Sequence, residues 1–154
     1  MPLHSAGLLL YRHRDDRLEL LLAHPGGPFW KDKDEGAWSI PKGLFEADEE
    51  PLAAARREFH EEIGVAFDAP DAAFLPLGEA KQKGNKIVHA WALAHDLDVT
   101  TITSNTYAVQ WPKGTWRRYP EVDRAGWFPI PEARLKILKG QEPFIDRLLA
   151  ALGE

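Results

Sequence analysis

Short apolar runs broken by polar turns divide the chain into strand and helix candidates. Residues 5–11 (Ser-Ala-Gly-Leu-Leu-Leu-Tyr) have the pattern of a buried strand. Arg14-Asp15-Asp16-Arg17 reads as a turn, and residues 18–23 (Leu-Glu-Leu-Leu-Leu-Ala) as a second strand, so the pair predicts a hairpin. Gly26, Gly27, Pro28 and Gly36 mark residues 24–36 as a loop. Trp38-Ser39-Ile40 predicts a short strand ended by Pro41.

The period then changes. Residues 50–63 are rich in Ala, Arg and Glu and predict a helix. Pro51 suits its first turn and Gly64 the position just past its end. Asp48, Glu49 and Glu50 bring negative charge to the positive end of its dipole. Residues 75–83 and 86–94 predict two strands joined at Gly84-Asn85. In the second, Ile87, His89, Trp91 and Leu93 alternate with Val88, Ala90, Ala92 and Ala94. Both faces are mostly apolar, so this strand is expected to be central and His89 a satisfied core histidine. Residues 99–120 hold many threonines, four aromatics and two prolines, and read as a long functional loop with room for one short strand. Residues 126–128 predict a last strand. Residues 131–139 and 143–152 predict two helices, the second with Phe144, Ile145, Leu148, Leu149 and Leu152 in a stripe. With 154 residues, 1–154 is expected to be one domain of the α/β class.

An α-helix turns about 100° per residue, so Glu58, Glu61 and Glu62 fall within one arc of about 100°. Beside them Leu52, Ala55, Phe59 and Ile63 form an apolar stripe fit to bury against a sheet. Like charges at this spacing repel. A divalent cation turns the conflict into binding energy, whereas a solvated acidic face is the blander alternative. There are no cysteines, which excludes disulfides and thiolate metal sites. A carboxylate-rich site favours a hard ion such as Mg²⁺ or Mn²⁺. The net charge of −5 argues against a nucleic-acid partner. Met1-Pro2-Leu3-His4 lacks a charged-then-apolar signal pattern, and the apolar runs are too short to span a bilayer. A cytoplasmic location and no membrane partner are the expectation.

Gly43, five residues, Glu49, seven residues, then Arg57-Glu58-Phe59-His60-Glu61-Glu62-Ile63-Gly64-Val65 resembles the signature of the Nudix hydrolase family. Every fixed position of that signature is filled. The resemblance implies an α/β/α sandwich with a mixed β-sheet and a loop–helix–loop catalytic motif. It implies that Glu58, Glu61 and Glu62 ligate Mg²⁺ or Mn²⁺, with the backbone carbonyl of Lys42 as a further ligand. Arg57 would pair with Glu49 to hold loop against helix. Gly43 and Gly64 would supply backbone freedom. Water would attack phosphorus and break a P–O–P bridge, with the metal neutralising phosphate oxygens.

The base can come from Glu61 or Glu62, but Glu121 is preferred. The segment Pro120-Glu121-Val122-Asp123-Arg124-Ala125-Gly126-Trp127-Phe128 resembles the acidic stretch before the last strand of diadenosine tetraphosphate hydrolases, a branch of the family in which the matching Glu lies beside the metals. Glu79 is a third candidate. Trp38-Ser39-Ile40-Pro41-Lys42-Gly43 is similar to the same branch, with Lys42 meeting a phosphate oxygen. Lys81 and Lys83 alternate toward one strand face and would extend a cationic track. In the 104–120 loop, Trp111, Trp116 and Arg117, near Tyr107, Arg118 and Tyr119, suit stacking on a base and gripping phosphate. Trp30 would approach from the other loop, while Trp91 and Trp127 are assigned to the core. That loop departs from the dinucleoside polyphosphate branch.

The expected function is hydrolysis of a nucleoside diphosphate-linked compound, a dinucleoside polyphosphate such as diadenosine tetraphosphate. Nucleoside triphosphates, nucleotide sugars and diphosphoinositol polyphosphates are alternative substrates. A non-catalytic nucleotide-sensing module would show a damaged signature, and none of the three glutamates is replaced. Action on capped RNA ends is disfavoured by the lack of a long basic stripe. The partner is a small-molecule nucleotide, and the protein a monomer or homodimer.

Overall fold

The first apolar run becomes the longest strand, β1 (Leu3–Arg14), in a computed structural model that describes residues 2–154. A tight turn at Asp15-Asp16, both at positive φ, returns the chain as β2 (Arg17–Pro25). The two strands pair only from Tyr11↔Leu20 to Arg14↔Arg17 and then diverge. Into the gap comes β3 (Lys42–Leu44), antiparallel to Ser5–Gly7 of β1. Ser39 bridges to Ala23 on the other side. This wedge explains why no strand forms at 38–40: those residues make isolated bridges, and the ladder starts only at Lys42.

Helix α1 (Pro51–Ile63) follows. The Glu50 side chain caps it by accepting from the Ala53 N–H at 2.7 Å. Gly64, at φ 88°, ends it by donating to the His60 carbonyl. Strands β4 (Leu75–Gln82) and β5 (Lys86–Ala94) form the expected hairpin. β5 runs parallel to β1, and β8 (Val122–Pro129) runs antiparallel to β2, giving a mixed sheet in the order β4-β5-β1-β2-β8 with β3 on β1.

Residues 106–120 fold differently from expectation. They form a separate hairpin of β6 (Thr106–Gln110) and β7 (Trp116–Pro120) rather than an open loop. Tyr107 faces Tyr119 and Val109 faces Arg117, so cross-strand pairing orders the segment. Helix α2 (Ile130–Lys136) stops before 139 because Ile137 turns extended and bridges to Trp38. Helix α3 (Glu142–Leu152) closes the chain.

Each sheet face has its own core. Leu52, Ala55, Phe59 and Ile63 of α1 bury against Ala6, Leu8, Leu10 and Leu21. On the other face Ala133, Phe144, Ile145 and Leu148 of α2 and α3 bury against Leu9, Leu20, Leu22 and Val88. The result is an α/β/α sandwich with a mixed sheet. No helix among the described residues is long and apolar enough to cross a membrane.

Candidate active site

The apolar stripe of α1 fixes the helix on the sheet, and that fixes where its carboxylates point. Glu58 and Glu62 are each only 9% exposed, while Glu61 stands on the open side. The glycine at position 43 is required by close approach, since a Cβ there would overlap the Glu58 carboxylate. Glu58, Glu61, Glu62 and Glu121 line a cavity of about 410 Å³ together with Lys42 and Gly43. A neighbouring cleft of about 720 Å³ shares Lys42, Glu62, Lys86 and Glu121 with it.

Arg57 reaches from the helix to the loop before it. Arg57 donates from Nε and Nη2 to both oxygens of Glu49, at 2.8 and 2.9 Å, and from Nη1 to Glu58 Oε1 at 2.8 Å. A weaker contact reaches Glu61 at 3.3 Å. The bond to Arg57 holds the Glu49 carboxyl below the usual range.

Burial works the other way deeper in the site. It pushes the Glu62 carboxyl up to about 8, with the Glu58 charge adding and Lys42 opposing. Burial also raises Glu58, an effect partly undone by Arg57. The Lys42 ammonium is lowered by burial and supported by Glu62. Glu121 is solvent-exposed, yet its carboxyl loses enough hydration to rise above its usual range, with Lys42 pulling it back.

The placement of Glu121 comes from the end of α1. A helix leaves its last carbonyls without internal partners. Here Thr103 donates to the Ile63 carbonyl at 2.9 Å and Asn105 to the Glu61 carbonyl at 2.8 Å. The Asn105 carbonyl in turn accepts from the Glu121 N–H at 2.9 Å. Glu121 is therefore tied by backbone bonds to the helix that carries the other three glutamates.

Four carboxylates around one cavity, two of them buried and repelling, form an oxygen donor set that fits a hard divalent ion. They border the space rather than meet at a point. Among the described residues, the one trio of acidic or imidazole ligand atoms within 4.8 Å of one another is His4, Glu79 and His89, not the helix glutamates. An ion that keeps several of its waters suits such an open arrangement.

Lys81 and Lys83 border the larger cleft, as does Trp30. Trp111, Trp116 and Arg117 are not brought to either cavity, which corrects the expectation for these three. The reason is the self-paired β6–β7 hairpin, on which Trp111 packs against Phe29 at 5.5 Å between ring centroids and Trp116 is 67% exposed. Glu79 lines neither cavity and lies beside His89 on β4. Lys86, Lys139 and Asn105 line the site without having been expected there. Lys86 was detectable as the residue just past the Gly84-Asn85 turn, whereas the other two depend on tertiary contacts.

Two further residues hold the site's surroundings. His24, fully buried, bonds Asp123 through Nδ1 at 2.9 Å and the Lys33 carbonyl through Nε2 at 2.6 Å. Gln141 accepts from the Ile40 N–H at 2.9 Å and donates to Ser39 Oγ at 2.9 Å, which fastens the wedge from below.

A family model described as NUDIX domain matches residues 1–148. The chain belongs to the NUDIX family. No curated protein matches this NUDIX chain. Among solved structures, it is similar to a C. elegans Ap4A hydrolase binary complex (23% identity, TM-score 0.66, 98% of each chain covered). It is similar to the NUDIX domain of Shewanella oneidensis NrtR complexed with ADP ribose (15% identity, TM-score 0.68, covering 99% of this chain and 89% of that one). A NUDIX hydrolase from Nitrosomonas europaea is also similar (18% identity, TM-score 0.63, covering 98% and 90%). At these identities the likeness speaks for a shared fold. Family membership with an intact signature makes this NUDIX protein a pyrophosphohydrolase, in a family that generally uses divalent metals.

Proposed function

We propose that the protein hydrolyses a phosphoanhydride bond in a dinucleoside polyphosphate, such as diadenosine tetraphosphate, with Mg²⁺ or Mn²⁺ held by Glu58, Glu61, Glu62 and the Lys42 carbonyl. The carrying observation is the larger cleft, which combines five lysines (Lys42, Lys81, Lys83, Lys86 and Lys139) with Glu62, Glu121 and the ring of Trp30. A pyrophosphate group does not need that many ammonium groups, whereas a longer phosphate chain does. Trp30 offers a surface on which a base can stack.

A bound divalent ion supplies charge neutralisation at the phosphate oxygens and a more acidic water. The protein's own groups do the rest. Lys42 holds a phosphate oxygen beside the α1 glutamates. Arg57 fixes the orientation of Glu58. Glu121 accepts the proton of the attacking water, and its raised pKa brings it nearer to the working pH than a free carboxylate would be.

The shared fold with an ADP-ribose complex supports a second reading, a nucleotide sugar as substrate. The test is a panel of dinucleoside polyphosphates, nucleoside triphosphates, ADP-ribose and diphosphoinositol polyphosphates, incubated with and without Mg²⁺. Diadenosine tetraphosphate is expected to show the highest kcat/KM, with ¹⁸O-labelled water marking the attacked phosphorus. A higher kcat/KM for ADP-ribose would replace the proposal with the second reading. No turnover of any compound would remove both.

A further inference from the structure

On the sheet face that also carries α1, three side chains from three neighbouring strands meet away from both cavities. His4 is on β1, His89 on β5 and Glu79 on β4. The pairing registers bring them together. Glu79 stands directly opposite His89, and Ala6 is the β1 residue opposite His89. His4 is two positions from Ala6 and so shares its face. The chain separation between the two histidines is 85 residues.

The spacing suits coordination. His4 Nδ1 lies 2.9 Å from His89 Nε2, and Glu79 Oε2 lies 3.6 Å from the same nitrogen. All three ligand atoms fall within 4.8 Å of one another. Two ligands of a tetrahedral zinc ion with bonds of about 2.0–2.1 Å are about 3.3 Å apart. Small side-chain rotations bring the three atoms to that separation. The rings are already oriented: the imidazoles stack at 5.1 Å with 29° between planes, and Phe45 meets both edge-on, at 6.2 and 5.6 Å. Arg147 bonds the backbone carbonyls of Leu77 and Glu79, which steadies the strand that carries the carboxylate.

A bond between the imidazoles accounts for the two histidines but not for the third group. At 3.6 Å the Glu79 carboxylate is outside hydrogen-bond reach of His89. A cation among them engages all three. Two imidazoles and one carboxylate are the ligand set of zinc with a fourth position left to water, and imidazole nitrogen disfavours Mg²⁺.

We propose that His4, His89 and Glu79 form a zinc-binding site separate from the carboxylate site of α1. Its role is a clamp. The His4 carbonyl accepts from the Phe45 N–H at 3.1 Å, so the same residue that ligates the ion also holds the chain leaving β3. Zinc would tie β4, β5 and the start of β1 together under the segment that carries Lys42 and Gly43. The proposal stands or falls independently of the substrate assignment.

The test uses the untagged full chain, stripped with chelator and titrated with Zn²⁺ in saturating Mg²⁺, so that the α1 carboxylates are already occupied. One equivalent of Zn²⁺ is expected to bind. Zinc-soaked crystals measured at the zinc edge are expected to show an anomalous peak between the two imidazoles. His4→Ala and His89→Ala should each weaken Zn²⁺ at least tenfold while keeping Mg²⁺-dependent hydrolysis. Glu62→Gln should keep the zinc equivalent. Both histidines are half-buried, so His4→Ala, near the start of β1, serves as the arbiter if His89→Ala misfolds. Anomalous density only at the α1 glutamates, or undiminished zinc binding in His4→Ala, would overturn the proposal.

Discussion

Arg57 grips Glu49 through two parallel hydrogen bonds and turns its remaining nitrogen onto Glu58, so one guanidinium joins the loop to a buried carboxylate. Arg57→Lys keeps the charge but cannot reproduce this fork. The expected result is a drop in kcat/KM of about tenfold to a hundredfold, as is usual when a residue that orients a metal ligand is lost. Tm should change little, since the Arg57–Glu49 pair is partly open to water. Steady-state kinetics beside a thermal melt checks both. Wild-type turnover in Arg57→Lys would end the positioning role.

The Glu62 carboxyl gives the metal-free protein a distinctive pH dependence. Its pKa is raised from 4.5 to about 8 in the folded state. A raised carboxyl favours the folded state when protonated, so stability is highest below the unfolded pKa and falls as pH rises toward about 8. In chelator, Tm should therefore decline from about pH 5 to about pH 8.5, and Glu62→Gln should flatten that decline. Added Mg²⁺ should protect the wild type most at the alkaline end, because the ion binds the ionised form. A wild-type curve as flat as that of Glu62→Gln would contradict the burial assigned to this group.

Glu121→Gln separates chemistry from binding. If this carboxylate accepts the proton, kcat should fall by about 10²–10⁴ while KM stays near wild type. The acid limb of the wild-type rate profile should sit above the usual carboxylate range, following the raised pKa, and should vanish in the variant. An unaltered kcat would return the role to a glutamate of α1.

The two aromatic sites make opposite predictions. Trp30 lines the larger cleft, and its replacement by Ala should raise KM for the preferred nucleotide about tenfold, in the range of one lost stacking contact. Trp116→Ala should leave KM unchanged, because that ring is exposed on the β6–β7 hairpin away from both cavities. Kinetics on the two variants with one substrate decides whether the hairpin reaches the nucleotide.

His24 is a test of stability rather than catalysis. Its ring is fully buried and joins Asp123 to the Lys33 carbonyl. His24→Ala removes both bonds and opens space beside Trp38, whose ring meets the imidazole at 5.1 Å. A loss of about 2–3 kcal/mol is expected in urea unfolding, from the lost packing and hydrogen bonds of a fully buried side chain. A loss within experimental error would show that water replaces the imidazole without penalty.

Local pattern revealed the elements whose instructions are local. Helix α1 was legible from its apolar stripe, from Pro51 and from Gly64, and the turn at 14–17 from its paired aspartates. Its three glutamates were legible for the same reason, since helical spacing alone groups them. Features set by long-range register were not. The strand expected at 38–40 moved to 42–44 because β1 offers its free edge there. The hairpin of 106–120 was hidden by Pro112 and Gly114 at its tip, which read as loop residues. The histidine trio depends on three strands in one alignment, and nothing near His4 in sequence points to His89.

The divergence of β1 and β2 carries a consequence for how such a protein can change over time. The carboxylates proposed to hold the ion sit on α1, with Glu121 zipped to its end and Lys42 beside them on β3. Much of the wall of the larger cleft comes from elsewhere: the 24–36 loop, residues 81–83 with Lys86, and the short link before α3. Among the described residues, the one backbone bond from these pieces to α1 or Glu121 is that of Gly26, which donates to the Glu121 carbonyl at 3.0 Å, so their outer parts can lengthen, shorten or swap residues without disturbing the helix. New appetites can thus be acquired by retailoring the rim, while the chemistry underneath is inherited intact.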